Sequence, residues 1–349
     1  MSSSSLKQSA SCVIATWFVA DDAGNATYFP QIETRSDSFE AQAIYWRCVI
    51  GFFASSLAVN PDCRHVFFTN AKIPVLDGLD LEELLIRWRV EVVHLDITRR
   101  LPRGSVSRWG NQFYVFDVIE YWASNESDCP LVLLDSDCVW IRSARQLTGA
   151  LAEAGALTYV LELSDGAQMN GLSPNEMARF VASNSGVNRD AVPYCAGEFI
   201  AATGAMVGKM ADLEKQLWPA VMQQSADSPR EEAHLLSIIY AMLGVAPGAG
   251  NQFIRRMWTT FRYNDVSAAD MDLTVWHLPA EKRTGFADLY RQVVRHAELD
   301  PREGQVPMGL NLANYSKIMG VPQRSVSKFA RDLLCKLRTK IPTYLSGRK

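Results

Sequence analysis

Short apolar runs alternate with segments of helical periodicity along the first half of the chain. Residues 12–20 form a continuous apolar run rich in β-branched and aromatic side chains, which is typical of a strand buried on both faces of a parallel sheet. Three further apolar runs of strand length lie at residues 66–69, 90–95 and 131–134. Helical patterns separate these runs at residues 37–58, after Asp80 and at residues 111–123, and Asp37 with Glu40 is expected to cap the first of these helices. This alternation predicts an α/β fold with a doubly wound, mostly parallel sheet and flanking helices.

The second half of the chain continues the mixed pattern less regularly. Strands are predicted at residues 157–161, 253–261 and 273–278, and residues 194–208 form an irregular, glycine-containing stretch that includes a short strand of small residues at 200–204. Helices are predicted at residues 144–154, 212–224, 231–243 and 286–296. We therefore expect a flexible Ser-rich tail at residues 1–10 and one α/β domain at residues 11–299. A linker and a basic amphipathic helix are expected at residues 300–349.

The charge distribution and the cysteines restrict the partners and the compartment expected for the protein. The net charge is −3, but residues 324–349 contain eight Lys or Arg residues and one acid, Asp332. An acidic body argues against nucleic acid as a partner, and the basic helix is expected either to pack on the body or to make peripheral contact with an anionic membrane surface. The seven cysteines form no CxxC pair, and residues 1–10 lack the apolar core of a secretory signal. We expect a cytoplasmic protein with reduced thiols.

The apolar run 131–134 leads directly into Asp135, Ser136 and Asp137. Ligands of open α/β sheets bind beyond the carboxyl ends of the strands, where this motif falls. Two carboxylates separated by one residue can hold a hard divalent cation such as Mn²⁺ or Mg²⁺ against a diphosphate. The alternative is that the acids only form a strand-ending turn.

An apolar strand that runs into Asp-x-Asp resembles the GT-A-fold glycosyltransferases, and the likeness covers about residues 12–286. The resemblance implies a GT-A-like fold and metal-dependent transfer of a sugar from a nucleoside-diphosphate sugar, UDP-sugars first, to a hydroxyl acceptor. The acceptor would be a glycan, a lipid-linked saccharide or a protein. The resemblance assigns Asp135 and Asp137 to the metal, and Ser136 to the nucleotide sugar.

Residues 275–285 resemble the late His…Lys element of the glycogenin-like family 8 enzymes. The resemblance implies that His277 is a third metal ligand and that a nearby cation binds the diphosphate. The match is incomplete, because Ala280 stands where the family has glycine. Arg283 occupies the position of the family's lysine, and Lys282 precedes it, so either cation is a candidate. A histidine that only hydrogen-bonds locally is the alternative for His277.

Two further segments resemble parts of the family 6 galactosyltransferases. Residues 231–235 are similar to their Asp-Glu-Ser-His-Leu element, which implies that Glu232 is catalytic, beside the anomeric carbon, and that His234 contacts the donor. Gly197 and Glu198 lie where that family has a glycine-rich segment that lines the donor sugar. Glu198 is therefore a second catalytic candidate, although a salt-bridged structural role is an equal alternative. Both resemblances are to retaining families, so retention of configuration is expected.

Arg108 and Gln112 lead into the helix before the Asp-x-Asp strand, and we expect them to contact the nucleotide sugar. Two other enzyme classes compete with glycosyl transfer. A haloacid-dehalogenase-like phosphatase also has Asp-x-Asp after an apolar strand, but on its first strand, and a nucleotidyltransferase of similar architecture is the second rival. A silent sugar-nucleotide-binding scaffold is the non-enzymatic alternative.

Overall fold

The computed structural model describes residues 12–21, 26, 28–29, 34–102, 111–299 and 310–346. Side chains are described for all of these except residues 28, 29, 34, 297–299 and 338–346. The strands are β1 (Val13–Phe18), β2 (Tyr28–Phe29), β3 (Thr34–Arg35), β4 (Arg64–Thr69), β5 (Val75–Leu76), β6 (Leu79–Asp80), β7 (Glu91–His94), β8 (Leu131–Leu134), β9 (Cys138–Trp140), β10 (Ala156–Val160), β11 (Cys195–Ala202), β12 (Ile254–Arg256) and β13 (Val275–His277). The helices are α1 (Phe39–Val59), α2 (Leu81–Arg87), α3 (Tyr114–Asn125), α4 (Arg145–Ala154), α5 (Pro174–Ser185), α6 (Gly204–Met222), α7 (Glu232–Met242), α8 (Gly285–Leu299), α9 (Leu312–Met319) and α10 (Val326–Ser346).

The central sheet has the strand order β10-β11-β8-β1-β4-β7. Strands β8, β1, β4 and β7 run parallel, and β11 is antiparallel to both β8 and β10. From β1 the chain crosses to β4 and β7 on one side, and β8 lies on the other side. The carboxyl ends of β1 and β8 therefore flank a topological switch point, where ligands bind in such sheets. The predicted α/β fold with a mostly parallel sheet is confirmed.

Residues 194–208 were expected to be irregular apart from a short strand at residues 200–204, and these bounds are wrong. Residues 195–202 form β11, an eight-residue strand in the centre of the sheet, and α6 follows directly. Small side chains, including Ala196, Gly197, Ala201 and Ala202, obscure the usual β-branched strand signal. Its neighbours β8 and β10 supply the backbone hydrogen bonds that stabilise the strand.

A second, three-stranded sheet has the order β12-β13-β9. Strand β9 begins directly after the Asp-x-Asp turn, so this turn joins the two sheets. Strand β13 pairs antiparallel with β9, and the register places His277 opposite Cys138. The predicted strands at residues 253–261 and 273–278 shorten to three residues each.

Helix α1 packs against β1, β9 and α8. It begins after Ser38, whose side chain accepts a hydrogen bond from the Ala41 backbone, so the expected Asp37 cap is wrong. Asp37 instead pairs with Arg35. Among the described helices, α1 alone has the length and apolar composition of a membrane span, yet 72% of its most apolar window is buried inside the protein. This burial is that of a core helix.

A buried ionic cluster joins α10 to the body of the protein. Lys328 Nζ lies 2.7 Å from Glu281 Oε1 and 2.8 Å from Asp332 Oδ2. Glu281 also accepts hydrogen bonds from Thr284 Oγ1 and the Gly285 amide. The predicted C-terminal helix is thus present, and α9, which the sequence did not predict, precedes it. Residues 1–10 and 300–309 lie outside the described residues, so the predicted tail and linker stay predictions.

Candidate active site

A cavity of about 330 Å³ opens beyond the carboxyl ends of β1 and β8. Its wall combines aromatic side chains with several convergent charged groups, which is the usual composition of a small-molecule site. The predicted site residues on this wall are Gln112, Asp135, Ser136, Asp137, Gly197, Glu198, Glu232, His277 and Lys282. The fold therefore brings most of the predicted residues into one place, from segments far apart in sequence.

Three of these residues form a candidate metal centre. Asp135, Asp137 and His277 offer ligand atoms that all lie within 4.8 Å of one another. The Asp-x-Asp turn is held by hydrogen bonds from the Asp135 amide to the Glu198 carbonyl and from the Cys138 amide to the Asp135 carbonyl, both 3.2 Å. Two carboxylates and one imidazole are a donor set that suits Mn²⁺, and the oxygens suit Mg²⁺. The residues present therefore fit a divalent cation.

Charges around Asp137 keep it ionised. His277 Nε2 lies 3.2 Å from Asp137 Oδ2, and Lys282 Nζ contacts the same oxygen. Burial opposes ionisation of Asp137, but these two cations outweigh it and hold the pKa of Asp137 well below its usual range. Burial and the neighbouring Asp137 charge raise the pKa of Asp135 to about 6.

His277 is held between two carboxylates. Its Nδ1 lies 3.0 Å from Glu198 Oε1, on the side opposite to Asp137. Burial alone would lower the pKa of His277, but Asp137 and Glu198 outweigh it and raise the pKa to about 9. Metal ligands must lose their protons, so a cation and a proton compete for Nε2.

Glu198 is itself clamped by Arg256. The Arg256 guanidinium donates from Nε to Oε1 at 2.8 Å and from Nη2 to Oε2 at 2.6 Å. Both carboxylate oxygens of Glu198 are thus used by Arg256 and His277. A carboxylate behind a metal-ligating histidine orients the ring and fixes which nitrogen faces the metal. These contacts are those of the salt-bridged alternative, and a catalytic role for Glu198 stays a prediction.

Glu232 differs from its neighbour Glu231 in its partners. Glu231 accepts hydrogen bonds from Tyr194 Oη and Asn170 Nδ2, both at 2.6 Å. Glu232 Oε2 is buried and has no hydrogen-bond partner among the described residues. Burial, together with the charges of Glu231 and Asp135, raises the pKa of Glu232 well above its usual range. Of the two predicted catalytic carboxyls, Glu232 is the one with unused hydrogen-bonding capacity.

Gly197 allows Glu232 to approach the strand backbone. A Cβ atom at position 197 would lie 2.5 Å from Glu232 Oε1 and 3.1 Å from its Cγ. Strand β11 thus needs a glycine where the carboxyl lies against it. Gln112 Oε1 is likewise buried without a hydrogen-bond partner among the described residues.

The structure separates the two candidate phosphate cations. Lys282 lies on the cavity wall, and its Nζ is 5.5 Å from the centre of the Tyr45 ring. Arg283 points away from the cavity toward Glu40, with Nη2 3.5 Å from Oε1. The geometry therefore favours Lys282, and a donor contact by either cation stays a prediction.

His234 does not reach the cavity either. It is fully buried, with Nε2 2.9 Å from the Met169 carbonyl and Nδ1 accepting from the Arg230 amide at 3.3 Å. The predicted donor contact of His234 is thus replaced by a structural role, in which it holds the loop that carries Asn170. Arg108 lies outside the described residues, and its predicted nucleotide contact stays a prediction.

Several residues of the site were missed by the sequence analysis. Arg256 fell inside a predicted strand, and Tyr45 inside the predicted first helix. The available signal for Arg256 was the charged pair Arg255-Arg256 in an otherwise apolar strand, since a buried strand rarely carries unpaired cations. Nothing local in the sequence indicated Tyr45.

The sequence itself matches no protein-family model and no curated protein. In structure the chain is similar to mouse xyloside xylosyltransferase 1, with 10% identity and a TM-score of 0.43 over 76% of this chain and 97% of that one. It is also similar to galactosyltransferase LgtC in complex with donor and acceptor sugar analogues, with 11% identity and a TM-score of 0.46 over 80% and 95% of the two chains. A third similar structure is the bifunctional glycosyltransferase WbbM, with 11% identity and a TM-score of 0.46 over 78% of this chain and 46% of that one. All three of these proteins are glycosyltransferases.

Proposed function

We propose that this protein is a metal-dependent glycosyltransferase that moves a sugar from a nucleoside-diphosphate donor, a UDP-sugar first, to a hydroxyl acceptor. One observation carries the proposal. Asp135, Asp137 and His277 meet at the switch point of a mostly parallel sheet, and Lys282 and Glu232 border the same cavity. This arrangement places a metal centre and a lysine, which can neutralise a departing diphosphate, on the same cavity as the carboxyl group of Glu232, which can contact the sugar.

The site residues divide the work of transfer. Asp135, Asp137 and His277 would hold Mn²⁺ or Mg²⁺, which supplies neutralising charge for the leaving diphosphate. Lys282 adds a fixed positive charge at the same wall, and this charge stabilises the diphosphate more as it departs than before. Glu232 would bind the sugar through its unpartnered carboxyl oxygen. Aromatic walls from Trp17 and Trp258 exclude water from the donor.

Three finer points belong to the proposal. The partial resemblances to retaining families support retention of configuration at the anomeric carbon. The reduced state of the thiols, which form no disulfide among the described residues, is consistent with a cytoplasmic location. The acceptor would be a hydroxyl of a glycan, a lipid-linked saccharide or a protein.

A nucleotide-release assay tests the activity. Purified protein is incubated with UDP-, GDP-, CMP- and dTDP-sugars in the presence of Mn²⁺, and the free nucleotide is measured. We expect release from one donor class, loss of release on chelation, and a decrease of about a hundredfold or more in Asp137→Ala. Asp62→Ala removes an exposed carboxylate far from the cavity and is the matched control.

Other outcomes separate the alternatives. Release of phosphate from a phosphomonoester, with every sugar donor left intact, would assign the site to a phosphatase. Donor binding by calorimetry without any turnover, including slow hydrolysis, would indicate a silent scaffold. With an active donor in hand, the anomeric configuration of the product, read by NMR, tests retention.

A further inference from the structure

Helix α10 presents an apolar stripe to solvent. Val326 is 86% exposed, and Leu334 is 57% exposed. The stripe, which we define as the five exposed apolar residues of this helix, comprises Val326, Phe329, Leu333, Leu334 and Leu337. Their spacing of i, i+3, i+7, i+8 and i+11 places them on one face. Most of the other exposed large apolar residues in the described chain are scattered singly.

The opposite, charged face of α10 is the one that packs on the body. Lys328 and Asp332 are each 2% exposed and belong to the buried cluster with Glu281. Arg331 donates from Nη2 to the Ile318 carbonyl at 3.1 Å and pairs with Asp288. An amphipathic helix of a globular protein normally buries its apolar face and exposes its charges. In α10 this order is reversed, and the ionic anchors fix the stripe outward.

Cations surround the stripe. On one side, a groove of about 550 Å³ between α8, α9 and α10 is lined by Arg291, Arg295, Lys317 and Arg331. Among the described residues that line this groove, the only carboxylate is Asp288, which already pairs with Arg291 and Arg331. Arg295 and Lys317 have no carboxylate within salt-bridge distance among the described residues.

The groove and the stripe are contiguous. Ser327 and Arg331 line the groove, and Leu334 follows Ser327 at i+7 and Arg331 at i+3 on the same side of the helix. On the far side of the stripe, Lys336 Nζ lies 4.1 Å from the ring centre of Phe261, which is itself exposed. The surface therefore combines an apolar strip with basic margins.

We propose that the stripe and the basic groove together bind the surface of an anionic membrane. An interfacial helix places its apolar face at the level of the headgroups and acyl chains, while neighbouring cations attract anionic lipids. Either signal alone binds only weakly, and here both occur on one rigid surface. The excess of cations in the groove is complementary to anionic lipid headgroups. This inference concerns where the protein works and does not depend on the proposed transfer reaction.

Vesicle flotation tests the proposal with the full chain. Vesicles of phosphatidylcholine alone are compared with vesicles that also contain phosphatidylglycerol, at low and high salt. We expect binding at least about tenfold stronger to the anionic vesicles, weakened by salt. Two double variants, Leu334→Ser with Leu337→Ser and Arg295→Glu with Lys317→Glu, are each expected to lose at least about tenfold in affinity.

Ile86→Ser is the matched control, because Ile86 is 66% exposed on α2, outside this surface. It is expected to bind anionic vesicles like the wild type, and all variants should keep the wild-type thermal midpoint because the replaced side chains are exposed. Equal vesicle binding by the wild type and both double variants overturns the proposal. Release by inorganic phosphate beyond the effect of salt at equal ionic strength also overturns it, in favour of a soluble phosphate ligand. The remaining outcome is a dimer, detected by light scattering, that the Leu334 and Leu337 replacements dissociate. Such a dimer, together with no vesicle binding, would overturn the proposal and assign the stripe to self-association.

Discussion

Replacing Glu198 by glutamine tests whether this carboxylate acts through His277. Glu198 Oε1 accepts from both Arg256 Nε and His277 Nδ1, and Oε2 accepts from Arg256 Nη2. The amide of glutamine has one accepting oxygen and one donating NH₂ group. If the NH₂ group takes the place of Oε2, it faces the Arg256 Nη2 donor. If it takes the place of Oε1, it faces the donors Arg256 Nε and His277 Nδ1. Glu198→Gln therefore loses at least one charge-assisted hydrogen bond and loosens the histidine.

The structure sets the size of the expected effect. A charge-assisted hydrogen bond contributes about 1.5–3 kcal/mol, and loss of a partner behind a metal-ligating histidine lowers metal affinity about tenfold to a hundredfold. These two figures agree, since tenfold in affinity corresponds to about 1.4 kcal/mol. The variant also leaves the Arg256 cation without its carboxylate. Because 24% of the Arg256 side chain is exposed, we expect the accompanying loss of folding free energy at the lower end for a broken buried pair, about 3 kcal/mol.

The assay is Mn²⁺ binding, measured by calorimetry or electron paramagnetic resonance on folded protein well below its thermal midpoint. Glu153→Gln, an exposed replacement on α4, is the matched control and should bind like the wild type. A positioning role predicts a higher Kd for Mn²⁺ in Glu198→Gln and partial recovery of the rate at saturating Mn²⁺. An unchanged Kd for Mn²⁺ with a collapsed kcat would refute this reasoning and return Glu198 to the catalytic role that the sequence suggested.

Three further predictions address other contacts. Gly197→Ala should displace Glu232 and lower the transfer rate about a hundredfold, while the free energy of unfolding changes by only about 0.5 kcal/mol, because the obstructing atoms belong to the end of a side chain. Lys328→Met should lower the free energy of unfolding in urea by about 3 kcal/mol, since it leaves the buried Glu281 carboxylate without its cation. Burial lowers the pKa of His65 from 6.5 to about 4, so the folded state binds fewer protons than the unfolded chain between these values. The stability that comes from the neutral His65 is present above pH 6.5 and is lost as the pH falls toward 4. In the wild type the free energy of unfolding should fall by about 2 kcal/mol between pH 7.5 and pH 5 for this reason. We expect this decrease to be absent in His65→Gln.

Matched controls accompany these variants. Gly149→Ala on α4 meets no atom within 4 Å and should raise the free energy of unfolding by about 0.5–1 kcal/mol with an unchanged rate. Lys209→Met replaces an exposed lysine and should stay within about 0.5 kcal/mol of the wild type. A Gly197→Ala enzyme with wild-type rate, or a Lys328→Met protein with wild-type stability, would contradict the corresponding contact. For His65, unfolding curves with the same pH dependence in wild type and variant would contradict the assigned burial effect.

Local patterns were sufficient for the parallel half of the sheet and for the core of the site. Strands β1, β4 and β8 are short apolar runs next to helical segments, so burial on both faces is visible in the sequence, and the edge strand β7 is half-buried. The Asp-x-Asp pair follows β8 directly, so its position at the carboxyl ends of the parallel strands follows from the strand itself. Only the last residues of strand β11 were predicted, because its small residues give a weak strand signal, and its neighbours in the sheet supply the pairing.

The sequence by itself determined the strand and helix pattern, the acidic pair and the amphipathic character of α10. The tertiary structure alone decided that Glu198 pairs with Arg256 and His277, that Lys282 faces the cavity while Arg283 turns away, and that α10 buries Lys328 and Asp332. The physical reason is that periodicity along the chain indicates which side chains face the core and which face solvent. Which partner meets a buried charge depends on strand order and register between segments distant in sequence, and the free energy of pairing that charge then selects the face that packs.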